Sequence, residues 1–174
     1  MIPRVADDAP SDEEIAELLD LAVRAPNHHR TEPWRFHVLR GDERERLARA
    51  IADEIVDSKG ADPAAALDEG RTKARRAPVI VVFGVVPSSD PKVYEQEEIA
   101  SVAMAIENFL IGAHAKGLGA MLRTGAAAYH PSVSEHLGLG PGERLVGIVY
   151  LGRPAADRDL TERGPASEKT RWLG

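Results

Sequence analysis

A dense group of polar side chains lies between two prolines near the start of this chain and offers the chemistry of a ligand-binding loop. The group, called the polar loop below, holds six consecutive residues: Asn27, His28, His29, Arg30, Thr31 and Glu32. Its side chains supply hydrogen-bond donors and acceptors, and two of them titrate near neutral pH. Pro26 and Pro33 restrict the backbone at either end. The residues alone leave two interpretations open, a binding loop held by rigid elements and a solvated connector.

A second candidate is Arg123, which closes a short apolar stretch that reads as a strand. An arginine at the end of a buried strand is costly unless it is paired. Its partner is therefore either an anionic ligand or a carboxylate such as Glu97 or Glu98. A basic cluster further upstream could also meet a phosphate: Arg71, Lys73, Arg75 and Arg76.

Composition excludes several classes of function. The 174 residues include no cysteine, which excludes thiol nucleophiles, disulfides and cysteine-ligated metal centres. A net charge of −6 argues against a nucleic-acid binder that uses a large basic face. No apolar run reaches the roughly 18 residues that span a bilayer, and no signal pattern precedes the first predicted helix. We therefore expect no nucleic-acid or membrane partner and a cytoplasmic location.

Periodicity predicts the elements that position these residues. Helices are predicted over Ser11–Arg24, Glu43–Asp57, Ala64–Arg75, Tyr94–Lys116 and Pro131–Leu137. Strands are predicted over Trp34–Leu39, Val79–Val86, Ala120–Arg123 and Glu143–Leu151. Ser11 and Glu14 form a capping-box pattern at the first helix. The polar loop thus joins the first helix to the first strand.

The helix over 94–116 is apolar or small at nearly every position from Ile99 to Ala115. A helix that is apolar all round is a buried helix. A chain of this size is unlikely to cover every face of such a helix, so we infer a dimer with this helix at or near the interface. The alternative is a central helix enclosed by its own subunit.

The two tryptophans are predicted to be buried. Trp34 is interpreted as a core anchor at the start of the first strand. An exposed indole is unfavourable at a chain end, so Trp172 is expected to dock on its own core or on a partner. The remaining histidines lack metal-ligand spacing and are interpreted as surface or core residues.

Three stretches resemble a known family. Ala25–Phe36, read as Ala-Pro-Asn-His-His-Arg-Thr-Glu-Pro-Trp-Arg-Phe, is similar to the signature loop of the compact FMN-dependent nitroreductases. Gly117–Gly125 and Val146–Pro154 also resemble that family in order and spacing. The resemblance covers nearly the whole chain. It implies one domain over residues 1–174 with an α+β fold, a mostly antiparallel central sheet flanked by helices, in a homodimer.

The resemblance also implies a site and an activity. FMN would lie at the subunit interface, with His28 and Glu32 contacting it from the neighbouring subunit. Leu122, Arg123 and Thr124 occupy the flavin-contacting segment after the long helix. The implied reaction reduces nitroaromatics, quinones or related small electrophiles with NADH or NADPH. Hydride would pass through flavin N5 in a ping-pong exchange, with no catalytic side chain required.

One departure from the family concerns the start of the chain. These nitroreductases usually carry Arg-Arg-Ser just upstream, where it binds the FMN phosphate, whereas Met1 stands roughly at that serine. Arg4 is the remaining cofactor-binding candidate there, although it matches the position after the motif. We expect a truncated or late-assigned start, and the alternative is a non-catalytic or weakly flavin-binding dimer. A third possibility keeps the flavin but changes the reaction, because fold does not fix function.

Overall fold

A computed structural model describes residues 5–156 and 162–173 of the chain. Its α-helices are α1 Asp12–Ala22, α2 Glu45–Lys59, α3 Pro63–Ala74, α4 Glu95–Ala115, α5 Gly125–Ala128 and α6 Val133–Leu137. Its strands are β1 Trp34–Arg40, β2 Val79–Val85, β3 Gly119–Arg123 and β4 Arg144–Gly152. Each predicted helix and strand is present, with bounds that differ by at most two residues. The short α5 and the 3₁₀ turns over His28–Arg30 and Gly41–Arg44 were not predicted, because single turns carry too few residues for a periodic pattern.

The four strands form one sheet in the order β1-β2-β4-β3. All three strand pairs are antiparallel, as predicted. The central strand β2 is buried along its whole length. Helices α1 and α4 pack on one face of the sheet, and α2, α3 and α6 pack on the other, which gives two hydrophobic clusters and an α+β architecture.

Helix α1 begins at the predicted capping box. The Ser11 hydroxyl accepts the Glu14 N–H at 3.1 Å, and the Glu14 carboxylate accepts the Ser11 N–H at 2.8 Å. Its buried side chains face α4 and the sheet. The helix ends at Ala22, two residues before the predicted end, ahead of the restriction imposed by Pro26. The capped helix therefore fixes the position and direction in which the polar loop begins.

The long helix is covered on one side only within the described residues of this chain, as expected from its apolar composition. Val102, Phe109 and Ala113 on α4 are fully buried against α1 and the sheet. On the opposite side Met104 and Ile111 are 39% and 58% exposed. In the part of the chain that the structure describes, elements cover α4 from one side only, so apolar side chains on its other side stay exposed. The alternative of a helix enclosed by its own subunit is excluded for the residues described.

The C-terminal segment bears on the expectation that Trp172 docks either on its own core or on a partner. A 3₁₀ turn forms over Ala166–Lys169, as the sequence suggested for this region. Trp172 is nevertheless 91% exposed and does not dock on the core of its own chain. Trp34, in contrast, is only 9% exposed and belongs to the cluster beneath α1 and α4, as predicted. No helix in the described ranges is long and apolar enough to cross a membrane.

Helices α2 and α3 pack unusually closely, and Gly70 is the residue that permits the contact. A Cβ on Gly70 would lie 2.2 Å from the backbone oxygen of Ala48. A mid-helix Gly→Ala substitution ordinarily stabilises by about 1 kcal/mol. Here we expect Gly70→Ala to destabilise the protein by about 1–3 kcal/mol, because backbone atoms would have to move to relieve the clash. Urea unfolding measures the sign, and a stabilised variant would contradict the close contact.

A carboxylate–guanidinium pair also joins these two helices. Arg71 on α3 donates from Nε and Nη2 to the Glu45 carboxylate at 2.8–3.1 Å. The hydrogen bonds from Arg71 hold the pKa of Glu45 below its usual value of 4.5. The ionised form of Glu45 is therefore favoured in the folded state.

Replacing Glu45 tests this pair through the pH dependence of stability. A carboxyl whose pKa is lowered by folding stabilises the protein above its unfolded-state pKa, and this contribution is lost as pH falls through the folded-state pKa. We expect Glu45→Gln to cost up to about 1 kcal/mol near pH 7. In denaturant titrations the difference from wild type should shrink as pH falls below 4.5 and vanish once pH is below the lowered folded-state pKa of Glu45. Glu43→Gln is the control, because the ion pair of Glu43 is local in sequence and more exposed to solvent.

Candidate functional site

The side chain of Asn27 organises the polar loop. Its Oδ1 accepts the Glu32 N–H at 2.8 Å across the loop. Its Nδ2 donates to Ser101 Oγ on α4 and to Thr31 Oγ1, both at 3.3 Å. The loop is therefore closed on itself and fastened to the long helix by one amide.

Three residues of the loop adopt left-handed backbone angles without being glycine. The φ values are +62° for His29, +53° for Arg30 and +49° for Glu32. Such angles are uncommon for residues with a side chain, and they persist only where surrounding structure enforces them. His28 and Glu32 are exposed in this conformation. The loop thus presents polar groups outward on a strained, preset backbone, which favours the binding-loop interpretation.

A cleft of about 360 Å³ lies on the other side of the sheet, between α2, α5 and the neighbouring strands β3 and β4. Its apolar wall includes Leu47, Ile51 and Ile148, which are buried. Its charged lining is mainly cationic, with Glu54 as the one carboxylate: Lys59, Lys73, Arg76 and Arg123. Arg123, Thr124 and Gly125 form one lip of this cleft, which we call the basic cleft.

Arg123 points into the cleft without a carboxylate partner. Its guanidinium carbon lies 5.8 Å from the centre of the Tyr150 ring, within the range of a cation–π contact. Among the residues that the structure describes, no carboxylate pairs with it. The predicted alternative, a pair with Glu97 or Glu98, is therefore wrong. Glu98 instead accepts the Ser88 N–H at 2.7 Å.

The basic cluster near the end of α3 divides between two surfaces. Lys73 and Arg76 line the basic cleft, and Lys73 also pairs with Glu69 at 2.7 Å. Arg71 and Arg75 line a separate depression beside α2. Helical geometry explains the division, because residues two apart lie on different faces of a helix. Within the basic cleft, the residues of this cluster that could meet a phosphate are Lys73 and Arg76.

Tyr150 and Lys59 are among the lining residues that the sequence did not assign to a site. Tyr150 lies in β4 among apolar residues and reads as part of a core strand. Lys59 ends α2 and reads as a solvated charge. Only the pairing of β3 with β4, which sets Met121 opposite Tyr150 and Arg123 opposite Ile148, shows that Tyr150 is diagonal to Arg123.

A sequence model of the Nitroreductase family matches residues 4–153, which is most of the chain. The chain belongs to the nitroreductase family. "Putative NAD(P)H nitroreductase YdjA" of Escherichia coli strain K12 is 33% identical over 151 residues, covering 87% of this chain and 81% of that protein.

Solved structures agree with this family. A nitroreductase-like family protein from Bacillus cereus superposes with a TM-score of 0.83 at 26% identity, covering 99% of this chain and 90% of that one. A nitroreductase-fold protein from Desulfovibrio desulfuricans, solved in complex with FMN, has a TM-score of 0.74 at 24% identity. That alignment covers 99% of this chain and 91% of the other, and it supports the fold.

The structure brings together only part of the predicted nitroreductase site. Arg123 and Thr124 line the basic cleft, and Leu122 directly precedes them on β3. No residue of the polar loop lines that cleft, so His28 and Glu32 are separate from it within one chain. Arg4 lies outside the described residues. The two parts of the predicted site meet only if a second subunit contributes its loop.

Proposed function

We propose that this nitroreductase binds FMN in the basic cleft and uses NADH or NADPH to reduce nitroaromatics, quinones or related small electrophiles. As a member of its family, the chain is an NAD(P)H-dependent oxidoreductase. When bound, FMN supplies the redox chemistry by taking hydride at N5 and passing it on in a ping-pong exchange. The protein supplies binding, orientation and electrostatics.

The observation that carries the proposal is Arg123, which has no carboxylate partner among residues 5–156 and 162–173 and lies in a cleft whose other charges are mainly cations. A partly buried guanidinium without a carboxylate is stabilised by an anionic ligand. FMN carries a phosphate and a ring whose charge becomes more negative on reduction. The apolar wall of Leu47, Ile51 and Ile148 suits the flat face of such a ring. The residues present therefore fit this cofactor.

Different side chains would make different kinds of contact with the cofactor. Arg123 and Lys73 offer charge-assisted donors to electronegative atoms of the cofactor. Thr124, with an exposed backbone and hydroxyl, offers a neutral donor and acceptor at the same lip. The apolar wall excludes water from one side, which strengthens these electrostatic contacts. No side chain needs to transfer a proton for the cofactor to bind.

We also propose that the active form is a homodimer with one FMN at each of two interface sites. The exposed apolar side of α4 and the exposed Trp172 both support a covering partner. The isoalloxazine would lie between the polar loop of one subunit and Arg123–Thr124 of the other. His28 and Glu32 would then reach the cofactor across the interface.

The same proposal includes one domain over residues 1–174 and a cytoplasmic location, where reduced nicotinamides are available.

The absorption spectrum of purified protein, before and after FMN addition and desalting, is the first test of the proposed function. We expect flavin absorbance to co-elute with the dimer and quinone-dependent oxidation of NADH or NADPH to follow. Protein that stays colourless after reconstitution would overturn the proposal. Bound flavin without turnover would favour a non-catalytic flavin-binding dimer.

A further inference from the structure

Tyr150 lines the basic cleft beside Arg123. It is 8% exposed, and its ring is the surface against which the Arg123 guanidinium lies. Because Arg123 pairs with Ile148 in the β3–β4 ladder, Tyr150 is its diagonal neighbour on the same face of the sheet. The contact is therefore set by strand register rather than by a flexible loop.

Arg123 needs such an anchor because its charged surroundings repel it. The other basic groups lining the cleft are Lys59, Lys73 and Arg76. Glu54 also lines the cleft but does not pair with Arg123 in the described ranges. A neutral aromatic face attracts a guanidinium and leaves its N–H groups free for a ligand. A carboxylate in the same place would compete with an anionic ligand for those donors.

We propose that Tyr150 is a positioning residue whose ring holds the Arg123 guanidinium in place for the cofactor. The inference rests on the proposed function, since it requires FMN in the basic cleft. Burial raises the pKa of the Tyr150 hydroxyl above its usual value, although Arg123 and Arg76 oppose the rise. The phenol is therefore neutral at physiological pH. The ring, and not a phenolate charge, makes the contact.

Substitutions at Tyr150 separate the ring from the hydroxyl. Tyr150→Phe keeps the aromatic face and should bind FMN within about twofold of wild type. Tyr150→Leu removes it and should weaken FMN binding by roughly 3- to 30-fold. Tyr129→Leu, at an exposed tyrosine that does not line the cleft, is the matched control. Thermal unfolding of each apoprotein confirms that binding is measured on folded protein.

A double-mutant cycle shows whether Tyr150 acts through Arg123. If it does, Tyr150→Leu should have little further effect on FMN affinity in an Arg123→Gln background. The midpoint potential of bound flavin gives a second readout, because a fixed cation near the isoalloxazine favours its reduced form. We expect Tyr150→Leu to shift that potential downward and Tyr150→Phe to leave it unchanged.

Several outcomes would overturn the inference. They are equal FMN affinity of Tyr150→Leu and wild type, equal loss in Tyr150→Phe and Tyr150→Leu, and additive effects in the cycle. In each of these the wild type still binds FMN, so the proposed function survives. If the wild type itself fails to bind FMN, the proposed function fails and this inference fails with it.

Discussion

Arg123→Gln is expected to weaken FMN binding by about 10- to 100-fold, because it removes a charge-assisted contact of roughly 1.5–3 kcal/mol. Glutamine keeps a polar donor but is shorter and uncharged, so the loss reports the removal of the guanidinium as a whole. The fold should be unaffected, since Arg123 ends an edge strand and makes no ion pair in the part of the chain described. Titration of the apoprotein with FMN, followed by flavin fluorescence, measures the affinity.

Arg46→Gln is the matched control for that substitution. Arg46 pairs with Glu43 on the exposed side of α2 and does not line the basic cleft. Its replacement should leave FMN affinity unchanged. If both variants bind FMN equally well, the cofactor does not use Arg123, and the site proposed here is misplaced.

Ile111→Glu is expected to convert a dimer into a monomer. Ile111 is 58% exposed on the apolar side of α4, and in a two-fold symmetric interface the change enters twice. Burying an unpaired carboxylate costs several kcal/mol, so the dimer dissociation constant should rise by at least about 100-fold. FMN binding should fall with dimerisation if the polar loop of one subunit completes the site of the other. Analytical ultracentrifugation, with and without FMN, measures both effects.

Ala65→Glu provides the comparison for Ile111→Glu. Ala65 is exposed in the first turn of α3, where a carboxylate is compatible with the helix dipole. This variant should remain dimeric and bind FMN normally. An Ile111→Glu protein that also remains dimeric would place the interface away from α4 and would contradict the proposed arrangement.

Local patterns predicted most of the elements, because each depends on residues close in sequence. The capping box of Ser11 and Glu14 and the unbroken apolar run of β2 are such patterns. Which face of α4 is left uncovered could not be predicted in the same way. Composition states how much apolar surface a helix has, but the covering of each face depends on which elements pack against it.

Residues of the candidate site were likewise predicted only where the signal is local in sequence. Arg123 and the polar loop were identified because charged or polar residues stood out beside apolar segments. Tyr150 was missed because its role depends on a diagonal pairing between strands that are distant in sequence. The wrong assignment of Glu97 or Glu98 to Arg123 has the same origin, since charge alone does not determine which groups meet in space.

The fastening of the polar loop by Asn27 has a consequence for how this binding surface could evolve. One amide closes the loop and joins it to Ser101, while His28, His29 and Arg30 remain exposed. Substitutions at His29 and Arg30 would alter the chemistry presented to a substrate without removing the hydrogen bonds of Asn27 that shape the backbone. A lineage could therefore explore new electron acceptors at little cost in folding, provided that Asn27 is retained.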